Sequence, residues 1–206
     1  MLKNTFKELL KNYTEDDALI KEFWLELEKN YSSKKRHYHT LAHLDHLLSQ
    51  LTYVKAEIQN WDVVLFTLYY HDIVYNALKG NNEEKSAELA EKRLSRTSLQ
   101  AENIQLCKAQ ILATKSHQYA LDEDTNYFTD ADLSILGQDW EAYSAYYKNV
   151  RKEYAIYPNF LYNKGRKKAL IHFLQMDRLF KTDFFYEQYE RQARENLQRE
   201  IELLWK

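Results

Sequence analysis

A chain of 206 residues can bury one sizeable core, and its 29 basic and 31 acidic side chains leave a formal charge of -2, too small to create a global field favouring nucleic acid or an anionic membrane. Three glycines and one proline deplete the chain of the residues that build hairpins, bulges and phosphate-cradling loops, and neither GxGxxG nor GxxxxGK[ST] occurs. The expected fold is all-α, a single compact helical domain with no nucleic-acid polymer as partner.

The N-terminus MLKNTFKELLKNYTEDD is amphipathic and charged, unlike a secretory leader. A helix is expected over residues 2–13, and Thr14 with Asp17 resembles a capping box opening a second. That second helix places Ile20, Phe23, Trp24 and Leu27 at i, i+3, i+4, i+7. RHYHTLAHLDH, residues 36–46, then concentrates four of the seven histidines and leads into a helix through Leu41, Leu44, Leu47, Leu48 and Leu51. Asn60 is the expected cap of WDVVLFTLYYHDIVY, whose apolar residues occupy every face, as in a helix surrounded by its neighbours. Its apolar run falls well short of the ~18 residues of a membrane span.

Beyond the loop NALKGNN a helix is expected from Asn82, with Glu83 and Glu84 in its first turn, followed by one capped by Ser98 that buries Ile104, Cys107, Ile111 and Leu112. The lone Cys107 cannot form an internal disulfide, in keeping with a cytoplasmic protein that has no membrane role. LDEDTN reads as a polar loop, and FTDADLSILG as a short helix capped by Asp130 and stopped by Gly137. Helices over 143–154, 167–179 and about 183–205 complete the chain.

On a helix advancing ~100° per residue, His39, His43 and His46 share one face; the alternative is a solvated helix start. His71-Asp72 places an imidazole and a carboxylate at the end of an apolar helix, where burial without partners would cost several kcal/mol. A metal cation is one of the few partners that satisfies both. Asp130 and Asp132 offer further carboxylates from a separate helix.

The order of these motifs on successive helices resembles the HD superfamily of metal-dependent phosphohydrolases, in particular a group of small bacterial proteins with RxYHxLxH, FHDxVY, NEExSA, DADLxILG, VRxEY and GRxxxL elements. Here those elements read RHYHTLAH, YHDIVY, NEEKSA, DADLSILG, VRKEY and GRKKAL, from about Arg36 to Phe180. Tyr70 replaces the phenylalanine before the His-Asp pair. The resemblance implies an HD-like helical domain spanning residues 1–206, with a motif core over about 36–180 and the remaining C-terminal helix packed on it. It further implies His43, His71, Asp72 and Asp132 as metal ligands, with Asp132 preferred to Asp130. YHTLAH also looks like the YHNxxH stretch of cyclic-nucleotide phosphodiesterases, which makes His39 the candidate general acid, although Thr40 replaces the asparagine.

A site of two imidazoles and two carboxylates suits Mn²⁺, Mg²⁺, Fe²⁺, Co²⁺ or Zn²⁺. The expected reaction is hydrolysis of a phosphate mono- or diester, nucleotides among the candidates, by a metal-activated water, with Asp72 also able to accept a proton from that water. Glu84 could orient the water or a second ion, or complement its helix dipole as Glu83 does. His117 is a candidate for phosphate contact or a second metal, or a surface histidine. Arg151 and Arg166 match the family elements and could hold a phosphate through a bidentate fork, with KGRKK otherwise a solvated basic turn.

Two alternatives remain open. One is an HD-type diiron oxygenase; the other is a non-catalytic metal- or nucleotide-binding regulatory module. An exposed aromatic patch around Phe184, Phe185, Tyr186 and Tyr189 would favour the module, while core packing or a homodimer contact would explain those residues equally well.

Overall fold

In the computed structural model, which describes residues 1–204, the regular structure consists of ten α-helices and two 3₁₀ turns, with no strand among the described residues. No helix among them is long and apolar enough to cross a membrane. The chain divides into two compact units, Met1–Thr129 and a second beginning at Asp130.

The first unit contains α1 (Leu2–Lys11), α2 (Asp17–Tyr31), α3 (Leu41–Tyr53), a 3₁₀ turn (Lys55–Glu57), α4 (Trp61–Tyr70), α5 (Asn82–Leu94), α6 (Ala101–Ala113) and most of α7 (Glu123–Leu133). Its centre is α4, which packs against α1, α3, α5 and α6. Every residue from Val63 to Tyr70 is buried, because apolar side chains on all faces leave the helix no solvent side. The Asn60 side chain caps it as expected, accepting from the Val63 amide at 3.3 Å.

Other caps differ from the sequence reading. Asp16, not Thr14, caps α2, accepting from the Ala18 and Leu19 amides at 2.9 and 3.0 Å, while the Thr14 hydroxyl accepts from the Asp16 amide at 3.2 Å. Ser98 does not cap α6; its hydroxyl donates to the Tyr13 carbonyl at 2.9 Å and ties that segment to the end of α1. On α6 itself Leu112 is exposed rather than buried, because the inward position next to Ile111 is taken by Gln110. LDEDTN is not a loop but the start of α7. Asp122 caps it, accepting from the Thr125 amide and hydroxyl, and Asp124 accepts from the Gln59 and Asn60 amides at 2.8 and 2.7 Å, anchoring the approach to α4. Two acids that look solvated in the sequence are thus bound to orphan backbone donors.

The second unit contains a 3₁₀ turn (Ser134–Gly137), α8 (Trp140–Glu153), α9 (Asn159–Leu174) and α10 (Asp183–Leu203). The expected helix over 167–179 begins eight residues earlier, directly after Pro158, whose fixed φ of -61° suits a helix entrance. Trp205, the expected end of the last helix, lies outside the described residues. Gly137 does not end its helix by a left-handed cap, since no glycine has positive φ. A Cβ there would instead collide with α10, 2.7 Å from the Tyr189 carbonyl oxygen, so glycine permits close approach of the turn to that helix.

This unit is held by buried charge as well as apolar contact. The Arg166 guanidinium grips Glu200 at both carboxylate oxygens, at 2.7 and 2.9 Å, and donates to the Tyr146 hydroxyl at 3.2 Å. Tyr143 donates to the same carboxylate. Glu190 accepts from the Leu179 and Phe180 amides and pairs with Arg194, and Asn196 donates to the Leu136 and Gln138 carbonyls at 2.8 and 2.7 Å. The aromatic run on α10 is only partly surface: Phe185 and Tyr189 are buried, whereas Phe184 and Tyr186 are 40% and 39% exposed.

Two outcomes follow from this packing. Arg166→Ala strands the Glu200 carboxylate in the interior and should lower stability to urea by about 3–5 kcal/mol, with much of the loss recovered by an Arg166→Met/Glu200→Leu double variant. Burial pushes the Cys107 thiol up to about 12, against an opposing hydrogen bond from Thr67, so a thiol-reactive disulfide reagent at pH 8 should leave the native protein unlabelled and modify it fully in urea.

Candidate metal centre

The apolar α4 ends at His71, and the turn that follows carries Asp72. Opposite it, the segment that enters α3 supplies His39 and His43. His43 lies in the first turn of α3 and is buried; His39 precedes the helix, so the shared helical face expected for His39, His43 and His46 does not include His39. His37 is exposed and His46 half-buried.

Tertiary contact brings the key groups together nonetheless. His71 Nδ1 lies 2.9 Å from the Leu68 carbonyl oxygen, which can only accept, so Nδ1 carries the proton and Nε2 is left with its lone pair. That Nε2 is 3.2 Å from His43 Nε2 and 3.1 Å from Asp72 Oδ2. Asp72 Oδ2 is also 3.8 Å from His43 Nε2 and 4.0 Å from His39 Nε2. Three electron-rich atoms at these separations repel unless a proton or a cation lies among them. Burial opposes ionisation of Asp72, but positive charge on the imidazoles of His71, His39 and His43, where they are protonated, outweighs it and holds the carboxyl well below the usual carboxylate range. Two neutral imidazole nitrogens and a carboxylate oxygen are a donor set that suits a divalent transition metal.

Several residues with no role assigned from the sequence brace this geometry. Arg36, only 8% exposed, donates to the carbonyls of His39, Asp72 and Ile73 at 3.1, 2.7 and 2.8 Å. One guanidinium therefore joins the α3 entrance to the His71-Asp72 turn. Its plane lies over Tyr31 and Tyr75, and Tyr75 stacks on the His39 ring at 4.2 Å. The Tyr31 hydroxyl accepts from the Asp72 amide at 3.3 Å. Ser86, within the NEEKSA element, accepts from the Val74 amide at 3.1 Å and donates back to the Val74 carbonyl at 3.3 Å. The available signal was their place in the quoted elements, Arg36 in RHYHTLAH, Tyr75 in YHDIVY and Ser86 in NEEKSA; the partners of Arg36 were invisible because they are backbone carbonyls.

The other candidates occupy distinct settings. Glu84, in the first turn of α5, is ion-paired with Lys115, whose hydrogen bond lowers the carboxyl's pKa. His117 occupies the turn after α6 in the left-handed region, φ 52°, uncommon for a residue with a Cβ. Asp132 sits on the last turn of α7, four residues after Phe128 and so on the same helical face; Phe128 itself packs edge-on against the His71 ring at 5.5 Å.

Asp130 does not cap its helix, which begins at Glu123. Its carboxylate accepts from the Lys181 and Thr182 amides and the Thr182 hydroxyl, and pairs with the Lys181 ammonium at 2.8 Å. The expected phosphate-binding arginines are engaged within the second unit. Arg151 donates to the Tyr154 and Tyr157 carbonyls and to Asn159, while Arg166 neutralises Glu200.

Comparison with protein-family models, curated proteins and solved structures returns no match to this chain.

Because Arg36 makes three charge-assisted bonds to backbone, Arg36→Ala should destabilise the protein by at least ~2 kcal/mol in urea unfolding. Arg36→Lys, which keeps the charge but not the planar fork, should recover only part of that.

Proposed function

We propose that the chain is a metal-dependent phosphohydrolase of the HD type, holding a divalent cation through His43, His71 and Asp72, with Asp132 as the further ligand that the order of the sequence elements implies. The observation that carries this reading is the convergence of His43 Nε2, His71 Nε2 and Asp72 Oδ2, a mixed nitrogen and oxygen set that a cation in place of a shared proton would satisfy. The second support is the order of the RHYHTLAH, YHDIVY and DADLSILG elements in the chain. Mn²⁺, Mg²⁺, Fe²⁺, Co²⁺ and Zn²⁺ all fit a mixed nitrogen and oxygen set. Such an ion, when bound, polarises a phosphoryl oxygen and makes its water a nucleophile near neutral pH.

The chain's own groups supply the rest. His39, with 19% of its side chain exposed, stands at the edge of the cluster, where an imidazolium can protonate a departing alkoxide. Tyr75 stacking and the Arg36 bond to the His39 carbonyl hold that ring in place. Asp72 can take a proton from the attacking water, and His117 stands as a candidate for phosphate contact. The substrate class is a small phosphate mono- or diester, nucleotides included, and the protein acts in the cytoplasm.

The test is elemental analysis of protein purified without chelator, followed by assays with p-nitrophenyl phosphate, its bis ester and a nucleotide panel for each ion. His71→Ala should lose the metal and lower turnover at least ~100-fold, while His39→Ala should keep the metal and lose ~10²–10⁴ in kcat. Full activity in His71→Ala sinks the proposal. Bound metal with no turnover on any ester would indicate a binding module, and bound iron with oxygen consumption an oxygenase.

A further inference from the structure

The second unit contains a cavity of ≈ 540 Å³, in the size range of small-molecule pockets. Val150 of α8, Tyr154 and Tyr157 of the segment after it, and Leu161, Gly165 and Ala169 of α9 line it. These walls are almost wholly apolar or aromatic. Gly165 opens the space beside α9, since a Cβ there would meet no atom within 4 Å.

Arg151 pins the loop after α8 by donating to the Tyr154 and Tyr157 carbonyls and to Asn159 Oδ1, and its guanidinium lies 4.6 Å from the centre of the Tyr162 ring. A pocket fixed in this way loses little entropy when it is filled. Ile156 and Phe160, in the same stretch of chain as the lining residues Tyr157 and Leu161, are 67% and 72% exposed.

Charge narrows the ligand class. Arg166 lines the wall but is neutralised by Glu200. Lys164 and Lys168, both exposed, immediately precede Gly165 and Ala169 on α9, and Lys168 is seven residues, or two helical turns, beyond Leu161. Neither lysine has a carboxylate partner among the described residues. An apolar chamber with unpaired ammonium groups flanking its lining row is complementary to a molecule with an apolar body and an anionic head.

We propose that this cavity binds a free single-chain anionic amphiphile of the fatty-acid class, its chain among Val150, Tyr154, Leu161 and Ala169 and its head at Lys164 and Lys168. The site is independent of the metal centre and of the phosphohydrolase reading.

Isothermal titration of the full-length protein with dodecanoate, below its aggregation concentration, tests the assignment. Wild type should bind it at least about tenfold more tightly than dodecyltrimethylammonium, which has the same chain with a cationic head. Gly165→Leu should fill the cavity and weaken binding at least about tenfold, with helical content and melting temperature unchanged or raised because leucine favours a helix over glycine. Lys164→Glu/Lys168→Glu should weaken it to a similar degree. The proposal is overturned if wild type does not bind dodecanoate, if the cationic amphiphile binds equally well, or if either variant binds as wild type does. Equal co-sedimentation of wild type and Gly165→Leu with phosphatidylglycerol vesicles, without binding of free dodecanoate, would assign the lysines to a membrane surface and overturn it as well.

Discussion

Two imidazole nitrogens and a carboxylate oxygen crowd together at the end of α4, where His71 Nε2 lies 3.2 Å from His43 Nε2 and 3.1 Å from Asp72 Oδ2. In water, side chains so placed would separate, because each loses hydration and gains repulsion. Here they cannot, because each is fixed by something other than its neighbour. His71 is held by the last turn of a helix buried on every face and by its own Nδ1–H bond to Leu68. His43 is held in the first turn of α3, and Asp72 by a turn whose backbone is hydrogen-bonded on both sides. The fold thus holds groups that share protons at one point, fixed from outside the cluster.

Rigidity comes from polar groups that contribute no side-chain ligand. Arg36 reaches three carbonyls in two chain segments, that of His39 close by and those of Asp72 and Ile73, 36 and 37 residues on, so displacement of either segment would leave a buried guanidinium short of acceptors. Ser86 fixes the backbone just beyond the His-Asp turn to α5. Tyr31 closes the opposite side, donating to the Tyr69 carbonyl and accepting from Asp72. Supports of this kind determine whether ligand atoms stay within the few tenths of an ångström that coordination tolerates. The apolar mass of α4 sets the position of the site, and these hydrogen bonds set its precision.

The parts legible in the sequence were those whose cause is local. The run VVLFTLYY specifies a surrounded helix and Asn60 its cap, and His71-Asp72 stands out because ionisable groups end an apolar run. What could not be read depends on partners distant in the chain. Asp122 and Asp124 look like loop acids until the orphan amides of α7 and of Gln59 and Asn60 are beside them. Asp130 looks like a helix cap, yet its partners lie 51 and 52 residues away at Lys181 and Thr182. Arg166 matches a phosphate-binding element in type and spacing, but Glu200, 34 residues on, takes both arms of its fork. Residue type announces capacity for an interaction; which partner claims it is decided by tertiary packing.

Buried charge is held in two ways in this chain. Guanidinium and ammonium groups meet carboxylates at bonding distance in Arg93 with Glu26, Arg166 with Glu200, Arg194 with Glu190 and Lys181 with Asp130. Such pairs gain little over apolar packing, but they penalise any helix register that leaves one member stranded. At the end of α4 the carboxylate of Asp72 faces imidazoles instead, at 3.1 Å from His71 and 3.8 Å from His43. Arg36, bonded to the Asp72 carbonyl, turns its donors to backbone rather than to that carboxylate. Imidazole differs from guanidinium in that its charge depends on pH and its ring nitrogen can donate a lone pair once deprotonated, so the arrangement at Asp72 can exchange a proton in a way that the Arg–Glu pairs cannot.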